Sequence, residues 1–511
     1  MKIINKIFAS KAWWLWLILL LVVVNYAASV FHARFDLTKE KRYTLSKATK
    51  DLLKSLDDRV QIDVFLKGSF PSKFRKMTNS VSEFLGILKE TNSSKLHYTF
   101  ISPEDLVPGT NISYGDSLKK MQAFPINLKA QVEEGEASSL AFPYAIMRYK
   151  GVEKLVKLFA VSTNMPPENV INKEEALLEY KFASALDGLL NKEKPMIGYS
   201  SGNGEPDLQT DFRTADLQMT LMKDYTLFTL NLNRQPIIPD TFKVLLVVKP
   251  TLQFSEEEKL KIDQYLMRGG KLLMFIDNLI AEQDSLRTIK ETVAFDRNLN
   301  LTDQLFRYGV RINTDLVMDL QCDYMPFVVG GDAQNPQFEF LKWNYYPLFE
   351  SKGNHTINKN IGLVSGRFVN SIDTIATPGI SKTVLLSSSA DSRIISTPAL
   401  ISLNENKNVP RDIKFNKSNI PVAMLLEGKF TSLYRNRASR TQLDSLAATG
   451  NSFLPEGNGK AKIIMVADGD MVLNDVSPKE GPLPMGLNFY TVGSQFEYQF
   501  ANREFLLNCL E

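Results

Sequence analysis

Cysteine and histidine are scarce in this chain of 511 residues: it holds Cys322 and Cys509, and His32, His97 and His355. Two cysteines build no disulfide framework, and neither lies in a Cys-x-x-Cys pair, so a dithiol redox role is excluded. Three histidines cap the metal and acid–base chemistry on offer. No GxxxxGK[ST] loop occurs, since residues 457–460 read only GNGK, and this excludes ATP binding in Walker fashion. An excess of either charge is missing as well. Sixty basic residues stand against 57 acidic ones, a formal charge of +3. No basic run is interleaved with aromatics, so nucleic acid is not an expected partner.

Long hydrophobic runs are absent but for one. Residues 12–31 read AWWLWLILLLVVVNYAASVF without a charge, behind Lys2, Lys6 and Lys11. A helix of that length spans roughly the 30 Å hydrocarbon layer of a bilayer. Residues 27–29 fit a signal-peptidase site loosely, but a signal core is shorter, and Trp13, Trp14 and Trp16 suit a membrane interface. A retained anchor is therefore expected over residues 1–35, with Trp13, Trp14, Trp16, Leu20 and Val24 in contact with lipid. Basic residues flank both ends (Arg34, Lys39, Lys41 and Arg42 follow), so charge alone does not orient it. Long domains translocate largely regardless of flanking charge, which favours an N-terminus inside and a body outside.

The rest is too long for one core. In residues 43–56, Leu45, Ala48, Leu52, Leu53 and Leu56 share a helical face. Residues 60–66 and 96–101 alternate as strands around a helix at 72–89, followed by strands at 141–149 and 154–161 and a helix at 172–190. The order β-α-β, β-hairpin, α predicts a thioredoxin-like α/β domain over 36–192. From residue 193 a second α/β domain is expected. Residues 195–200, 243–248, 271–276 and 462–467 read as strands of a parallel sheet covered on both faces. Ser255 with Glu258 predicts a capping box, and Gly269-Gly270 the helix end. Residues 325–460 read as an irregular, polar insertion or lid, whose apolar islands at 361–364, 383–387 and 422–426 look like strands. The helix expected from residue 502 stops uncapped at residue 511, suggesting a cut chain.

Gly202, Asn203, Gly204 and Glu205 follow a strand, where doubly wound sheets bind ligands and glycines let backbone approach an anion. Glu205 and Asp207 would repel a phosphate, so a turn with a capping acid is the competing reading. Asp277, Asp468 and Asp470 also end strands and could gather over the sheet, as cation ligands or as caps. Cys322 and His355 have no spacing that pairs them as a nucleophile. Trp343, Tyr345 and Tyr346 read either as core or as a stacking surface for glycan or peptide.

In combination, residues 42–68 (RYTLSKATKDLLKSLDDRVQIDVFLKG), the loop 202–205, residues 243–277 (KVLLVVKP…FSEEEKLKIDQYLMRGGKLLMFID), 306–319 and 462–475 resemble the GldG family. Its members are gliding-motility-associated ABC-transporter auxiliary, or "substrate-binding", proteins. The resemblance implies a non-catalytic subunit of the inner membrane, with its main body periplasmic. Its partners would be a permease with a separate ATPase, membrane lipid, and envelope motility or secretion components. It implies no cofactor, and a second domain of flavodoxin-like or class I glutamine-amidotransferase-like fold without that enzyme's Cys–His–Glu set. That module is shared with an intraflagellar-transport protein. The family's second, C-terminal membrane helix is not in this sequence. Two other readings stand beside it: a degenerate amidotransferase or hydrolase, and an envelope glycan- or peptide-binding module.

Overall fold

The computed structural model describes residues 45–511 except 69, 71, 122, 124, 133–134, 159–174, 176, 191–193, 282, 284–285, 287–290, 333–334, 352–354, 359–360 and 404–413. The expected anchor at residues 12–31 lies outside the described residues. Among the described residues, no helix is long and apolar enough to cross a membrane. The chain divides into two compact units, residues 1–190 and 191–511.

In the first unit, helix α1 (Lys47–Lys54) starts at Ser46, whose hydroxyl accepts from the Thr49 N–H. Strand β1 (Val60–Val64) runs parallel to β2 (Leu96–Phe100) through helix α2 (Ser72–Thr91). Strands β3 (Tyr144–Tyr149) and β4 (Val152–Lys157) form a hairpin, and β3 lies antiparallel to β1. The sheet order is therefore β2-β1-β3-β4, with helix α3 (Leu178–Leu190) following. Ile62, Val64, Phe74, Leu85, Met147 and Phe182 are fully buried or nearly so in its core. A separate hairpin, Ile126–Val132 with Gly135–Ala141, was not foreseen from sequence.

The second unit is built on one sheet. Strands β5 (Met196–Ser201), β6 (Thr226–Asn231), β7 (Phe242–Val248), β8 (Lys271–Phe275) and β13 (Lys462–Val466) are parallel and lie in the order β6-β5-β7-β8-β13. In chain order that is 2-1-3-4-5, a doubly wound arrangement. Alternate residues of each central strand enter different cores. Val244, Leu246, Val248, Leu273 and Phe275 pack on one face with helix α4 (Ala215–Leu221) and helix α6 (Asn502–Leu510). Leu245, Val247, Leu272 and Met274 pack on the other with helix α5 (Glu256–Met267). Burial on both faces is why these strands read as continuous apolar runs. Ser255 and Glu258 close the expected capping box on α5, and Gly269 follows its C-cap at φ 101°.

The stretch read as an irregular lid instead extends this sheet. Strands β9 (Cys322–Gly331), β10 (Pro336–Ser351), β11 (Ile380–Ser387) and β12 (Pro421–Gly428) continue it antiparallel from β13, in the order β9-β10-β11-β12-β13. The excursion begins directly after β8. The apolar islands at 383–387 and 422–426 are strands as expected, within β11 and β12, but they belong to this sheet and not to a lid. Trp343, Tyr345 and Tyr346 on β10 are at most 2% exposed; Trp343 packs on the two tyrosines at ring distances of 5.4 and 4.9 Å, and all three pack on Phe368 at 5.7–6.4 Å. They are core, so the stacking-surface reading of these three residues is corrected.

Before β1, Asp57 accepts hydrogen bonds from Lys150 and Tyr149, at the hairpin between β3 and β4. The Lys150 and Tyr149 bonds pull its carboxyl from an ordinary 3.8 down to about 2. A depressed folded-state value stabilises above the unfolded pKa and is lost as pH falls through the folded one. Asp57→Asn is therefore expected to flatten the fall of melting temperature between pH 4 and 2, measured by circular dichroism, and to leave its shape above pH 5 unchanged.

Candidate functional site

Charged residues follow the carboxyl ends of four parallel strands of the second unit, β5, β7, β8 and β13. Lys249 follows β7, Asp277 follows β8, and Asp468 and Asp470 follow β13. Oxygen atoms of Asp277, Asp468 and Asp470 lie within 4.8 Å of one another. The structure thus brings Asp277 and Asp468 together, as the strand-end reading anticipated.

A cation already lies among them. The Lys249 ammonium donates to both oxygens of Asp470, at 2.7 and 2.8 Å, and lies 3.3 Å from Asp277 Oδ2. Lys249 is 4% exposed and holds a left-handed backbone at φ 45°, which side chains other than glycine adopt at a cost. Its approach needs a residue without a side chain opposite: a Cβ on Gly469 would stand 2.8 Å from Lys249 Cβ. The Gly469 N–H donates to Asp277 Oδ1, locking the two strand ends together.

The electrostatics divide the carboxyls. Burial pushes Asp470 up, but the Lys249 ammonium and then Arg367 outweigh it and hold it below the ordinary range. Burial, then Asp277 and Asp470, push Asp468 well above it. Asp468 is fully buried and accepts from the N–H groups of Asp470, Met471 and Arg367. It caps the turn after β13. Arg367 in turn grips Asp475 with two bonds of 2.8 and 2.7 Å, over the Tyr346 ring. Lys249 carried a sequence signal, a charge directly after a buried apolar run. Arg367, in an irregular stretch, carried none.

The loop after β5 faces inward in the same manner. Glu205 accepts from the Asn203 N–H (2.7 Å) and from Ser200 Oγ (2.8 Å), so the chain's own carboxylate meets the N–H that the glycine turn presents. Burial pushes Glu205 up against those bonds. Asn203 O accepts from the N–H groups of Thr251 and Leu252, both at 2.8 Å, and its side chain donates to Gln253 O and Glu258. Gly204 has φ 76°, and a Cβ there would meet Thr251 Oγ1 at 2.0 Å. These glycines let the loops after β5 and β7 close on each other at the point where the strand order reverses. Outside the seam lies an open groove of about 570 Å3, lined by residues including Glu205, Asp207, Phe212 and Arg213.

Cys322 and His355 are not joined by a hydrogen bond among the described residues. Cys322 Sγ faces Asn344 Oδ1 at 3.4 Å, and burial pushes its thiol up to about 12. A protonated buried thiol is a poor nucleophile. The His355 Nδ1 accepts from the Ile357 N–H.

Removing one partner of a buried ion group costs about 3–5 kcal/mol. Lys249→Met is expected to lose stability of that order in urea unfolding. The deficit should shrink as pH is lowered, because the abandoned carboxylates then protonate. Gly204→Ala should lower the melting temperature by several degrees, through its positive φ and the Thr251 overlap; an unchanged value would contradict the closed seam.

Comparison with known proteins extends this description. An uncharacterized protein of Borreliella burgdorferi is 22% identical over 452 residues, covering 86% of this chain and 80% of its own. The solved mmIFT52 N-terminal domain overlaps 56% of this chain and 91% of its own, at 15% identity and a TM-score of 0.30. A ThuA-like protein from Parabacteroides merdae overlaps 62% of this chain and 88% of its own, at 9% identity and a TM-score of 0.26. Residues 39–148 match a family described as a domain of unknown function. Residues 194–509, more than half the chain and nearly all of the second unit, match the family described as an ABC-type uncharacterized transport system, and the chain belongs to that family.

Proposed function

We propose that this protein is a non-catalytic auxiliary component of an ABC transporter of the gliding-motility type, held at the inner membrane by residues 12–31 with its body periplasmic. It acts through contact with a permease, and a separate subunit supplies ATP hydrolysis. The first unit is read as thioredoxin-like on its strand order, without a Cys-x-x-Cys pair. The second is read as amidotransferase-like on its 2-1-3-4-5 sheet.

One observation carries the non-catalytic reading: both places where such a sheet would hold a ligand are filled by the chain itself. The Lys249 ammonium lies among the strand-end carboxylates, and the Glu205 carboxylate meets the turn N–H. Gly202, Asn203, Gly204, Glu205, Asp277 and Asp468 are accordingly proposed as scaffold residues of the ligand position, with any partner engaging the outer surface.

Purification of the full chain in mild detergent should recover a polytopic permease in fixed stoichiometry. Recovery without one would count against the proposal. Cys322→Ser and His355→Ala should leave transporter assembly and the motility phenotype unchanged, whereas a cryptic hydrolase would lose function with either.

A further inference from the structure

A second open groove in the same unit, of about 750 Å3, is lined by residues including Thr302, Asp303, Phe306, Arg307, Leu433 and Arg437. The short helix Thr302–Tyr308 supplies one side and the segment 433–437 the other. Both sides are fixed from beneath. Leu433 is buried against Leu260 and Tyr434, and its N–H donates to the buried Asp263. The Arg437 N–H donates to Tyr434 O. Leu305 and Tyr308 turn into the core of the unit, whereas Phe306 stays 52% exposed.

The charges of the groove do not balance. Asp303 is the one acid among its described lining residues, and both of its oxygens are taken. Lys259 donates to Oδ1 at 2.8 Å, and Arg437 to Oδ2 at 3.3 Å. The neighbouring acids are engaged as well, Glu256 by Lys259, and Glu456 by Lys429 and Arg435. Arg307 and Arg440, both exposed, have no hydrogen bond or ion pair among the described residues. The side chains of Asn298 and Thr302, on the same wall as Arg307, are likewise unbonded there.

We propose that this groove docks an acidic segment of a partner protein, one in which an apolar side chain stands beside a carboxylate. A guanidinium presents a planar fork that fits a carboxylate with two bonds, and Arg307 has its fork unspent. Phe306 and Leu433 offer the apolar contact, and Asn298 and Thr302 offer polar groups to a peptide backbone. Sites for small molecules enclose most of the ligand, which an open groove does not do, so an extended segment fits better. A nucleic acid or an anionic bilayer would set a dense row of phosphates against Asp303, where like charge is costly. Carboxylates spaced along a peptide can avoid it.

The test uses the full chain in detergent and a fluorescein-labelled peptide of about twelve residues in which Glu alternates with Phe and Leu. Anisotropy should show saturable binding that weakens as salt is raised. The same peptide with Lys in place of Glu should not bind. Arg307→Glu should weaken binding at least tenfold and Phe306→Ala severalfold, both with an unchanged melting temperature. Phe338→Ala, which removes another exposed aromatic (60%) outside the groove, should leave affinity as it was. Absence of saturable binding, equal binding of the Lys peptide, or an affinity untouched by Arg307→Glu and Phe306→Ala would overturn the proposal. Tighter binding of a single-stranded oligonucleotide or of phosphatidylserine vesicles would also overturn it. No permease enters these measurements, so failure here is distinguishable from failure of the transporter reading.

Discussion

The ammonium of Lys249 sits between carboxylates that end β8 and β13, and the arrangement of the strand ends in the second unit follows from that contact. Three carboxylates within 4.8 Å of one another, two buried and one half-buried, need compensation, since each ion carries a desolvation cost of several kcal/mol. A resident lysine solves the problem without an external cation. Its solution demands a left-handed turn at φ 45° and a glycine directly opposite, and both are present. Gly469 then serves twice, leaving room for Lys249 and donating its N–H to Asp277.

The same logic governs the loop after β5. A glycine turn that could have offered an N–H to an anion offers it to Glu205, and the neighbouring loop closes over Asn203. The parallel sheet keeps the topology of a ligand-binding fold while its strand-end groups are spent on one another. That arrangement is the one on which the proposed non-catalytic role rests. It also directs attention outward, to the groove at Phe212 and Arg213 and to the groove at Phe306 and Arg307.

Much of the fold was legible in the sequence because burial leaves a periodic trace. The apolar runs 243–248, 271–276 and 462–467 could only be strands covered on both faces, and Ser255 with Glu258 marked the helix between the first two. The antiparallel extension was not legible as part of the same sheet. Its strands lie between polar loops, and nothing local says that β12 pairs with β13 across more than thirty residues. Residues 126–141 (INLKAQVEEGEASSLA) alternate weakly and have few β-branched side chains, so their hairpin left no clear signal. Of the site, Asp277 and Asp468 were legible as strand-end acids. That Lys249 would answer them depends on the depth of three strand ends in space, which no spacing records. Trp343, Tyr345 and Tyr346 show the opposite limit: three neighbouring aromatics look alike in sequence whether they line a surface or fill a core.

The strand-end positions of the second unit are filled from within by Lys249 and Glu205. Calorimetric titration of the full chain with Mg2+, and separately with inorganic phosphate, tests this most directly, with Lys249→Met as the comparison for the cation. The account predicts no saturable heat for either ion with the unaltered protein, and cation binding only once the ammonium is removed. Saturable Mg2+ binding to the unaltered protein that is lost in Asp277→Asn would contradict it.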